Sequence, residues 1–145
     1  MAVAEVIGQR SKCSRAKVGT VIVDRLNRVV ATGYAGPPAN MPVPSEDCED
    51  WCPRAMAACE PHGAYEDCVS THSEMNALLF GNKMEMAGGT LYCTGAICYS
   101  CAKVIANCGV ERVVMRINPH DMHRLPERTV QYLRESLVVV DVYDG

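Results

Sequence analysis

The sequence has no apolar run long enough to cross a membrane, because its purely apolar stretches are short, such as Leu137 to Val140. It also lacks a basic region at its start, Met1-Ala-Val-Ala-Glu5, so we expect no signal peptide and a cytoplasmic location, in a bacterium or a phage-infected host. It has no internal repeat and no low-complexity tail. The 145 residues are enough for a sizeable core, and we expect a single domain over residues 1–145.

An excess of basic residues is also missing, since the formal net charge is −3. Proteins that bind nucleic-acid polymers usually carry a basic face, so we expect no such partner, whereas a single nucleotide is compatible with this charge. One local basic cluster is formed by Arg10, Lys12, Arg15 and Lys17. It is interpreted either as a solvated loop, the usual fate of such charges, or as a contact for a phosphate group.

Cysteine, by contrast, is abundant, with nine residues in the chain. In a secreted protein this number would indicate disulfides. Because no signal peptide is expected, metal binding is the better interpretation for some of these cysteines. The others are expected to be small buried hydrophobic residues.

Apolar periodicity and turn residues predict nine regular elements in the order α-β-β-α-β-α-β-α-β. They are a helix over residues 1–11, paired strands at 18–24 and 28–34, a helix at 72–80, a strand at 89–94, a helix at 99–108, a strand at 111–116, a helix at 127–136 and a strand at 137–143. This order implies an α/β fold with a central sheet and helices on both faces.

Three local features refine this prediction. Val3, Val6 and Ile7 are spaced to form the apolar face of the first helix. Ser70 or Thr71 is a candidate cap for the second helix. Between the strand at 28–34 and the helix at 72–80, six prolines in residues 35–71 predict a long irregular segment with one short helix near 54–59.

Two short motifs, His72-x-Glu74 and Cys98-x-x-Cys101, each lie at the start of a predicted helix. Cysteines at i and i+3 place their thiols on one side of the first turn, where a helix N-terminus favours the thiolate that binds metals. If the two helix starts face each other, His72, Cys98 and Cys101 form a zinc ligand set with a fourth position open for water. Glu74 then lies beside that water rather than on the metal.

This arrangement indicates hydrolytic deamination of a nucleobase. Zinc lowers the pKa of a bound water towards neutrality, and Glu74 is placed to carry one proton to the ring nitrogen and a second to the departing ammonia. The pair of motifs matches the established signature of zinc-dependent nucleobase deaminases. Either motif alone is weak, since a C-x-x-C also occurs as a redox pair or by chance, and the alternative is a set of core residues without metal.

Five segments spread over nearly the whole chain carry a resemblance to a known family. They are Gln9-Arg-Ser-Lys-Cys13, Lys17-Val-Gly19, Gly33-Tyr34 with Gly36, His72-Ser-Glu-Met-Asn-Ala77 and Cys98-Tyr-Ser-Cys-Ala-Lys103. These segments resemble the deoxycytidylate (dCMP) deaminase family of the cytidine deaminase superfamily. The resemblance implies a three-layer αβα fold with a five-stranded mixed sheet, and the conversion of dCMP to dUMP for thymidylate synthesis. It also implies a hexamer that dCTP activates and dTTP inhibits.

Three residues depart from the family pattern: Ala35 replaces an Asn, Ile97 replaces a Pro and Ser73 replaces an Ala. Alanine at 35 cannot make the sugar contact that the Asn makes in related deaminases, and Ser73 and Ile97 alter the pocket wall. The altered pocket makes a 5-substituted dCMP an alternative substrate. Another cytosine nucleotide or nucleoside and tRNA adenosine are further alternatives, the last disfavoured by the acidic charge and by the dCMP-type N-terminal segment. An inactive nucleotide-sensing homologue is the alternative of another class, and the intact Glu74 argues against it.

The resemblance also implies further site residues. A second, structural zinc is expected on Cys13, Cys48, His62 and Cys68, with Cys52 and Cys59 as alternative ligands and Cys93 and Cys108 assigned to the core. A closed four-ligand site of this kind would pin the long irregular segment to the first strand.

The remaining candidate residues concern the nucleotide. The 5′-phosphate is assigned to Arg10, Ser11 and Lys12, and further substrate contacts are assigned to Ser73 and Asn76. For Asn76, a hydrogen bond that merely buttresses the site is an equally good interpretation. The allosteric nucleotide is assigned to the segment with Gly33, Tyr34 and Gly36.

Overall fold

In the computed structural model, the residues described are 1–13, 17–41, 43, 50–53 and 68–144. The short helix expected near 54–59 lies outside these residues. Among the helices of the described part, none combines the length and the apolar character that a membrane crossing requires.

Five strands form one mixed sheet in the order β2-β1-β3-β4-β5. The strands are β1 (Gly19–Val23), β2 (Val29–Tyr34), β3 (Thr90–Cys93), β4 (Arg112–Met115) and β5 (Val139–Val142). β1 pairs antiparallel with both β2 and β3, whereas β3, β4 and β5 run parallel to one another. A tight hairpin joins β1 to β2, and helical crossovers join the parallel strands, as such pairings require. The five-stranded mixed sheet expected from the sequence is therefore confirmed.

Helices cover both faces of the sheet. They are α1 (Ala2–Gly8), α2 (Ser73–Phe80), α3 (Lys83–Met86), α4 (Tyr99–Cys108) and α5 (Pro126–Glu135), with a 3₁₀ helix at Pro119–Arg124. Because strand side chains alternate between faces, Ile22 and Leu91 enter a large core with α2, α4 and α5. Val21 and Tyr92 enter a smaller cluster with Ala4 of α1. The three-layer αβα architecture is therefore confirmed.

Helix α1 is shorter than predicted, and its buried face agrees with the prediction only at Ile7, which packs against the cluster around Ala4. Val3 and Val6 are exposed, whereas Ala4 and Gly8 are buried. Glycine allows the close contact, since a Cβ added to Gly19 of β1 would lie 2.8 Å from the Cα of Gly8. The prediction from Val3 and Val6 is wrong because this helix packs through small residues, where missing side chains let two backbones approach.

Helix α4 agrees with its predicted bounds. Cys98 is its N-cap, and the Cys98 sulfur accepts a hydrogen bond from the backbone N–H of Cys101. Gly109 ends the helix with φ of 91°, a left-handed conformation that glycine adopts without steric cost. Both ends of this helix are thus set by local chemistry that is visible in the sequence.

The N-cap of helix α2 lies one residue after Thr71 and two residues after Ser70, the two predicted caps. His72 is the N-cap, because Thr71 instead forms an isolated β-bridge with Gly36, where its N–H donates to the Gly36 carbonyl at 2.8 Å. The helix ends at Gly81, as predicted. The following Asn82 caps α3, a short helix that the sequence pattern does not predict, by accepting from the N–H of Met84.

Candidate metal centre and catalytic carboxylate

The N-terminal ends of α2 and α4 meet. His72 and Cys98 are the two N-caps, both with extended backbone. His72 Nδ1 lies 3.5 Å from Cys98 Sγ and 3.4 Å from Cys101 Sγ, and the ligand atoms of the three residues all lie within 4.8 Å of one another. The structure thus brings together the three residues that the sequence proposes as zinc ligands.

The spacing of these atoms fits a tetrahedral zinc ion. Zn–S bonds of about 2.3 Å and Zn–N bonds of about 2.0–2.1 Å at a tetrahedral angle separate sulfur from nitrogen by about 3.6 Å. The two separations here, 3.5 and 3.4 Å, are close to that value. Two sulfurs and an imidazole are a donor set typical of zinc, and three protein ligands leave the fourth position for water.

The three candidate ligands shift one another's pKa values. A hydrogen bond from Cys101, supported by one from His72, lowers the pKa of the Cys98 thiol to about 3 despite its burial. Hydrogen bonding to Cys98, together with burial and the Glu74 charge, raises the pKa of Cys101. The Cys98 sulfur and the Glu74 carboxylate raise the pKa of His72. Without metal the trio therefore retains protons that a bound cation would displace.

Glu74, on the first turn of α2, is buried with 1% of its surface exposed. Its two carboxylate oxygens have different surroundings. Oε2 accepts a hydrogen bond of 2.9 Å from Ser73 Oγ, whereas Oε1 is buried and has no hydrogen-bond partner among the described residues. A buried carboxylate oxygen without a partner is costly, and such groups in native proteins are typical of functional positions completed by water, ion or ligand.

Ser73 has a contact that the sequence did not predict. The residue is fully buried, and besides its bond to Glu74 its hydroxyl lies 2.8 Å from Thr20 Oγ1 on β1. No sequence signal links these two positions, because they are 53 residues apart. The substrate contact proposed for Ser73 stays a prediction, and its hydroxyl is engaged inside the protein.

The segment assigned to the allosteric nucleotide adjoins α2. Asn76 Nδ2 donates to the carbonyl of Tyr34 at 2.8 Å, which is a buttressing bond between α2 and the end of β2. Gly33 lies so close to α2 that an added Cβ would be 3.0 Å from the Cα of Ala77. Gly36 pairs with Thr71 just before the helix start. These contacts fix the position of α2, and the nucleotide roles of Gly33, Tyr34, Gly36 and Asn76 stay predictions.

The 3₁₀ helix that sequence patterns missed supports the loop before Cys98. Asp121 Oδ2 accepts hydrogen bonds from the N–H groups of Ala96, at 3.2 Å, and Asn118, at 3.0 Å. Arg124 Nη1 donates to the Ala96 carbonyl at 2.7 Å, and the Arg124 charge acts to lower the pKa of His72. The Asn118-Pro119 dipeptide is a turn signal that points to this feature.

The phosphate segment is described for Arg10, Ser11 and Lys12. Arg10 and Lys12 are exposed, whereas Ser11 is buried and its hydroxyl accepts a hydrogen bond of 3.2 Å from the N–H of Cys13. Exposed basic side chains are available to a phosphate, and the assignment of the 5′-phosphate to this segment stays a prediction.

Two ligands of the expected second zinc, Cys48 and His62, lie outside the described residues, as does Cys59. Cys13 and Cys68 are half-buried, and Cys52 is buried. This site therefore stays a prediction.

Two of the remaining cysteines and one atypical residue belong to the core. Cys93 and Cys108 pack there, and burial raises the pKa of the Cys93 thiol to about 12. Ile97, which replaces the usual proline, is fully buried in the same core. Because both thiols are buried, neither Cys93 nor Cys108 can act as an exposed nucleophile.

Comparison with known proteins agrees with this geometry. A family model described as the cytidine and deoxycytidylate deaminase zinc-binding region matches residues 1–117. A deoxycytidylate deaminase from Mycobacterium phage D29 is 42% identical over 121 residues, which are 79% of this chain and 88% of that protein. A deoxycytidylate deaminase from Schizosaccharomyces pombe is 32% identical over 145 residues, which are 99% of this chain and 42% of that protein.

Among solved structures, the crystal structure of dCMP deaminase from the cyanophage S-TIM5 in complex with dCMP and dUMP superposes with a TM-score of 0.69. The sequence identity is 25%, and the match covers 98% of this chain and 92% of that chain. The chain thus spans most of the phage proteins but less than half the length of the S. pombe relative. The family model matches most of this chain, and His72, Cys98 and Cys101 lie together as a zinc site requires. The chain therefore belongs to the cytidine and deoxycytidylate deaminase family.

Proposed function

We propose that this protein hydrolytically deaminates dCMP to dUMP and ammonia, using a zinc ion held by His72, Cys98 and Cys101. The observation that carries the proposal is the site itself: three ligand atoms with the spacing of a tetrahedral zinc ion lie beside the buried carboxylate of Glu74, and one oxygen of that carboxylate has no hydrogen-bond partner among the described residues. The substrate is supported by the names of the relatives and by the S-TIM5 enzyme, which was crystallised with dCMP and dUMP.

In this proposal the bound zinc supplies a water molecule of lowered pKa. Glu74 Oε1 accepts a proton from the attacking water and delivers it to the ring nitrogen, while the water oxygen bonds to the ring carbon that bears the amino group. Glu74 then carries the second proton to the amino group, which leaves as ammonia. One water is consumed and one ammonia is released for each dUMP formed.

The test is ammonia release from dCMP by the zinc-loaded protein and by Glu74→Gln. The substitution keeps the size of the side chain but removes the proton acceptor, so we expect turnover to fall by about 10²–10⁴-fold. Zinc content should stay at the wild-type value, because Glu74 is not a ligand. Glu85→Gln makes the same change at an exposed position of α3 and should leave turnover unaltered. If the wild type releases ammonia from no cytosine nucleotide, the enzyme hypothesis is wrong.

The buried positions of two atypical residues favour dCMP over a 5-substituted substrate. Ile97 and Ser73 are both fully buried, and the Ser73 hydroxyl is bonded to Glu74 and Thr20. The Ser73 hydroxyl therefore has its partners inside the protein, and neither residue presents an unpaired polar group that would select a substituent on the base. A parallel screen of dCMP, 5-hydroxymethyl-dCMP, dCTP and cytidine should rank dCMP first, and a higher kcat/KM for another of these compounds would reassign the substrate.

Four further properties belong to the proposal. Activation by dCTP, inhibition by dTTP and a hexameric assembly follow from the family resemblance. The cytoplasmic location rests on the composition of the sequence. Light scattering with and without dCTP, alongside the turnover assay, tests the assembly and the regulation together.

A further inference from the structure

The Glu74 carboxylate is held on one side only. Oε2 accepts from Ser73 Oγ at 2.9 Å, while Oε1 has no hydrogen-bond partner among the residues described. Ser73 is the first residue of α2 and lies between His72 and Glu74 in the chain. Ser73, which binds the carboxylate, therefore lies next to His72, a proposed zinc ligand, at the start of α2.

The hydrogen-bond chain behind Ser73 has a definite direction. A serine hydroxyl has a single proton, and Ser73 Oγ donates it to Glu74 Oε2. The 2.8 Å bond between Ser73 and Thr20 must therefore be donated by Thr20. Protons point from Thr20 to Ser73 and from Ser73 to Glu74. Hydrogen bonds that end on a charged acceptor are stronger than neutral ones, and neighbours in a chain polarise one another.

The far end of this chain is rigid. Thr20 lies on β1, which is paired on both edges, with β2 and with β3, and every residue of β1 is buried. Thr20 and Ser73 are both fully buried, so water does not compete for their hydroxyls. The hydrogen-bond chain therefore links one oxygen of Glu74 to an inner strand of the sheet.

We propose that Thr20 and Ser73 are positioning residues that hold Glu74 Oε2 and so aim the free Oε1 at the reacting water and the substrate ring. The inference rests on the proposed deamination and adds to it a role for Ser73, which stands where the family usually has alanine. A carboxylate held at one oxygen cannot rotate to pair its second oxygen elsewhere. Proton transfer depends on this geometry, because a displacement of about 1 Å can lower a rate by about 100-fold.

Steady-state kinetics of Ser73→Ala, Thr20→Val and Thr20→Ser separate this role from a purely structural one. Ser73→Ala should lower kcat by about 10–100-fold with KM changed less than about twofold. Thr20→Val should lower kcat by a smaller factor, because Ser73 can still donate to Glu74. Thr20→Ser keeps the hydroxyl and should restore kcat to near the wild-type value. The double variant Ser73→Ala/Thr20→Val should be no slower than Ser73→Ala alone, since Thr20 acts through Ser73.

Thr129→Val is the matched control for Thr20→Val. Thr129 on α5 is also fully buried, and its hydroxyl has no hydrogen-bond partner in the described part of the chain. The change should leave kcat unaltered. Zinc content and urea unfolding of every variant show whether a loss of kcat reflects loss of metal or of folded protein.

Several outcomes would overturn the inference. They are an unchanged kcat in Ser73→Ala, a loss in Thr20→Ser equal to that in Thr20→Val, a multiplicative loss in the double variant, or a rise in KM alone. Crystal structures of the zinc-loaded wild type and Ser73→Ala decide the question independently of turnover. The Glu74 carboxylate should have one orientation in the wild type and more than one in Ser73→Ala, and a single unchanged orientation in both would refute the positioning role. A wild type that deaminates nothing would refute the proposed function, and the same pair of structures would still decide the role of Ser73.

Discussion

Replacing Gly33 by alanine tests whether the close packing of β2 against α2 sets the position of the start of α2, which carries His72 and Glu74. A Cβ at Gly33 would meet the Ser73 carbonyl oxygen and the Ala77 amide nitrogen at well below contact distance, and would lie 3.0 Å from the Ala77 Cα. All three are backbone atoms of α2, so no side-chain rotation relieves the overlap. Either the helix or the strand must move.

The magnitude follows from the overlap. A carbon-to-oxygen contact of about 3.3 Å is normal, and the added Cβ falls short of it by roughly 1 Å. Overpacking of a well-packed site typically costs about 1–3 kcal/mol, and the rigidity of the neighbouring atoms places Gly33→Ala near the upper end, about 3 kcal/mol. A helix start displaced by about 1 Å also moves His72 and Glu74, so we expect turnover to fall by about 100-fold.

Urea titration gives the free energy of unfolding of the zinc-loaded protein, and ammonia release from dCMP gives the turnover rate. Gly95→Ala is the matched control, because its Cβ would lie 3.4 Å and 3.5 Å from the two methyl groups of Val18, which are ordinary contacts. This control should change the unfolding free energy by less than about 1 kcal/mol. If Gly33→Ala is as stable and active as the wild type, or if Gly95→Ala is equally destabilised, the packing argument is wrong.

Three further predictions concern the metal. Cys101→Ser should weaken zinc binding by more than about 100-fold, since loss of a residue that only supports a ligand already lowers metal affinity by about 10–100-fold. The control Cys108→Ser, in the core, should keep the wild-type zinc content after dialysis. Zinc affinity should fall as pH is lowered, because His72 and Cys101 have raised pKa values and must lose protons to bind metal; equal affinities at pH 8 and pH 6 in a chelator competition would contradict this. If the second zinc exists, the wild type should hold two ions and Cys13→Ser one, and a wild type with one ion would rule that site out.

Local chemistry explains which parts of the fold were predictable. Helix α4 is capped by a cysteine that binds its own first turn and is ended by Gly109 in a left-handed conformation, and both signals are local in sequence. The ligand motif was found for the same reason, since its residues start two helices. Helix α1 was predicted correctly at Ile7 but wrongly at Val3 and Val6. The absence of side chains at Gly8 and Gly19 decides how this helix packs, and hydrophobic periodicity does not reveal such close contacts.

The contacts that support the site are mostly nonlocal, which is why the sequence did not reveal them. Thr20 and Ser73 meet only after β1 and α2 have packed together. Asp121 holds the backbone of Ala96 from 25 residues away. Ser73 departs from the family pattern, in which this position is an alanine. Its role depends on Thr20, a partner that no signal in a single sequence identifies. The chemistry was therefore predictable from short motifs, while the supporting contacts required the fold.

The two helix starts also explain how so much negative charge is placed at one point. A bound zinc ion would hold both sulfurs as thiolates; these and the Glu74 carboxylate would carry three negative charges, of which the ion would neutralise two. Each helix N-terminus carries a partial positive charge that favours nearby anions, and Glu74 lies in the first turn of α2 while Cys101 lies in the first turn of α4. With the metal bound, the remaining charge would lie on Glu74, because both thiolates would be engaged by the ion. The carboxylate is thus the group left to accept a proton, which is the role that deamination requires of it.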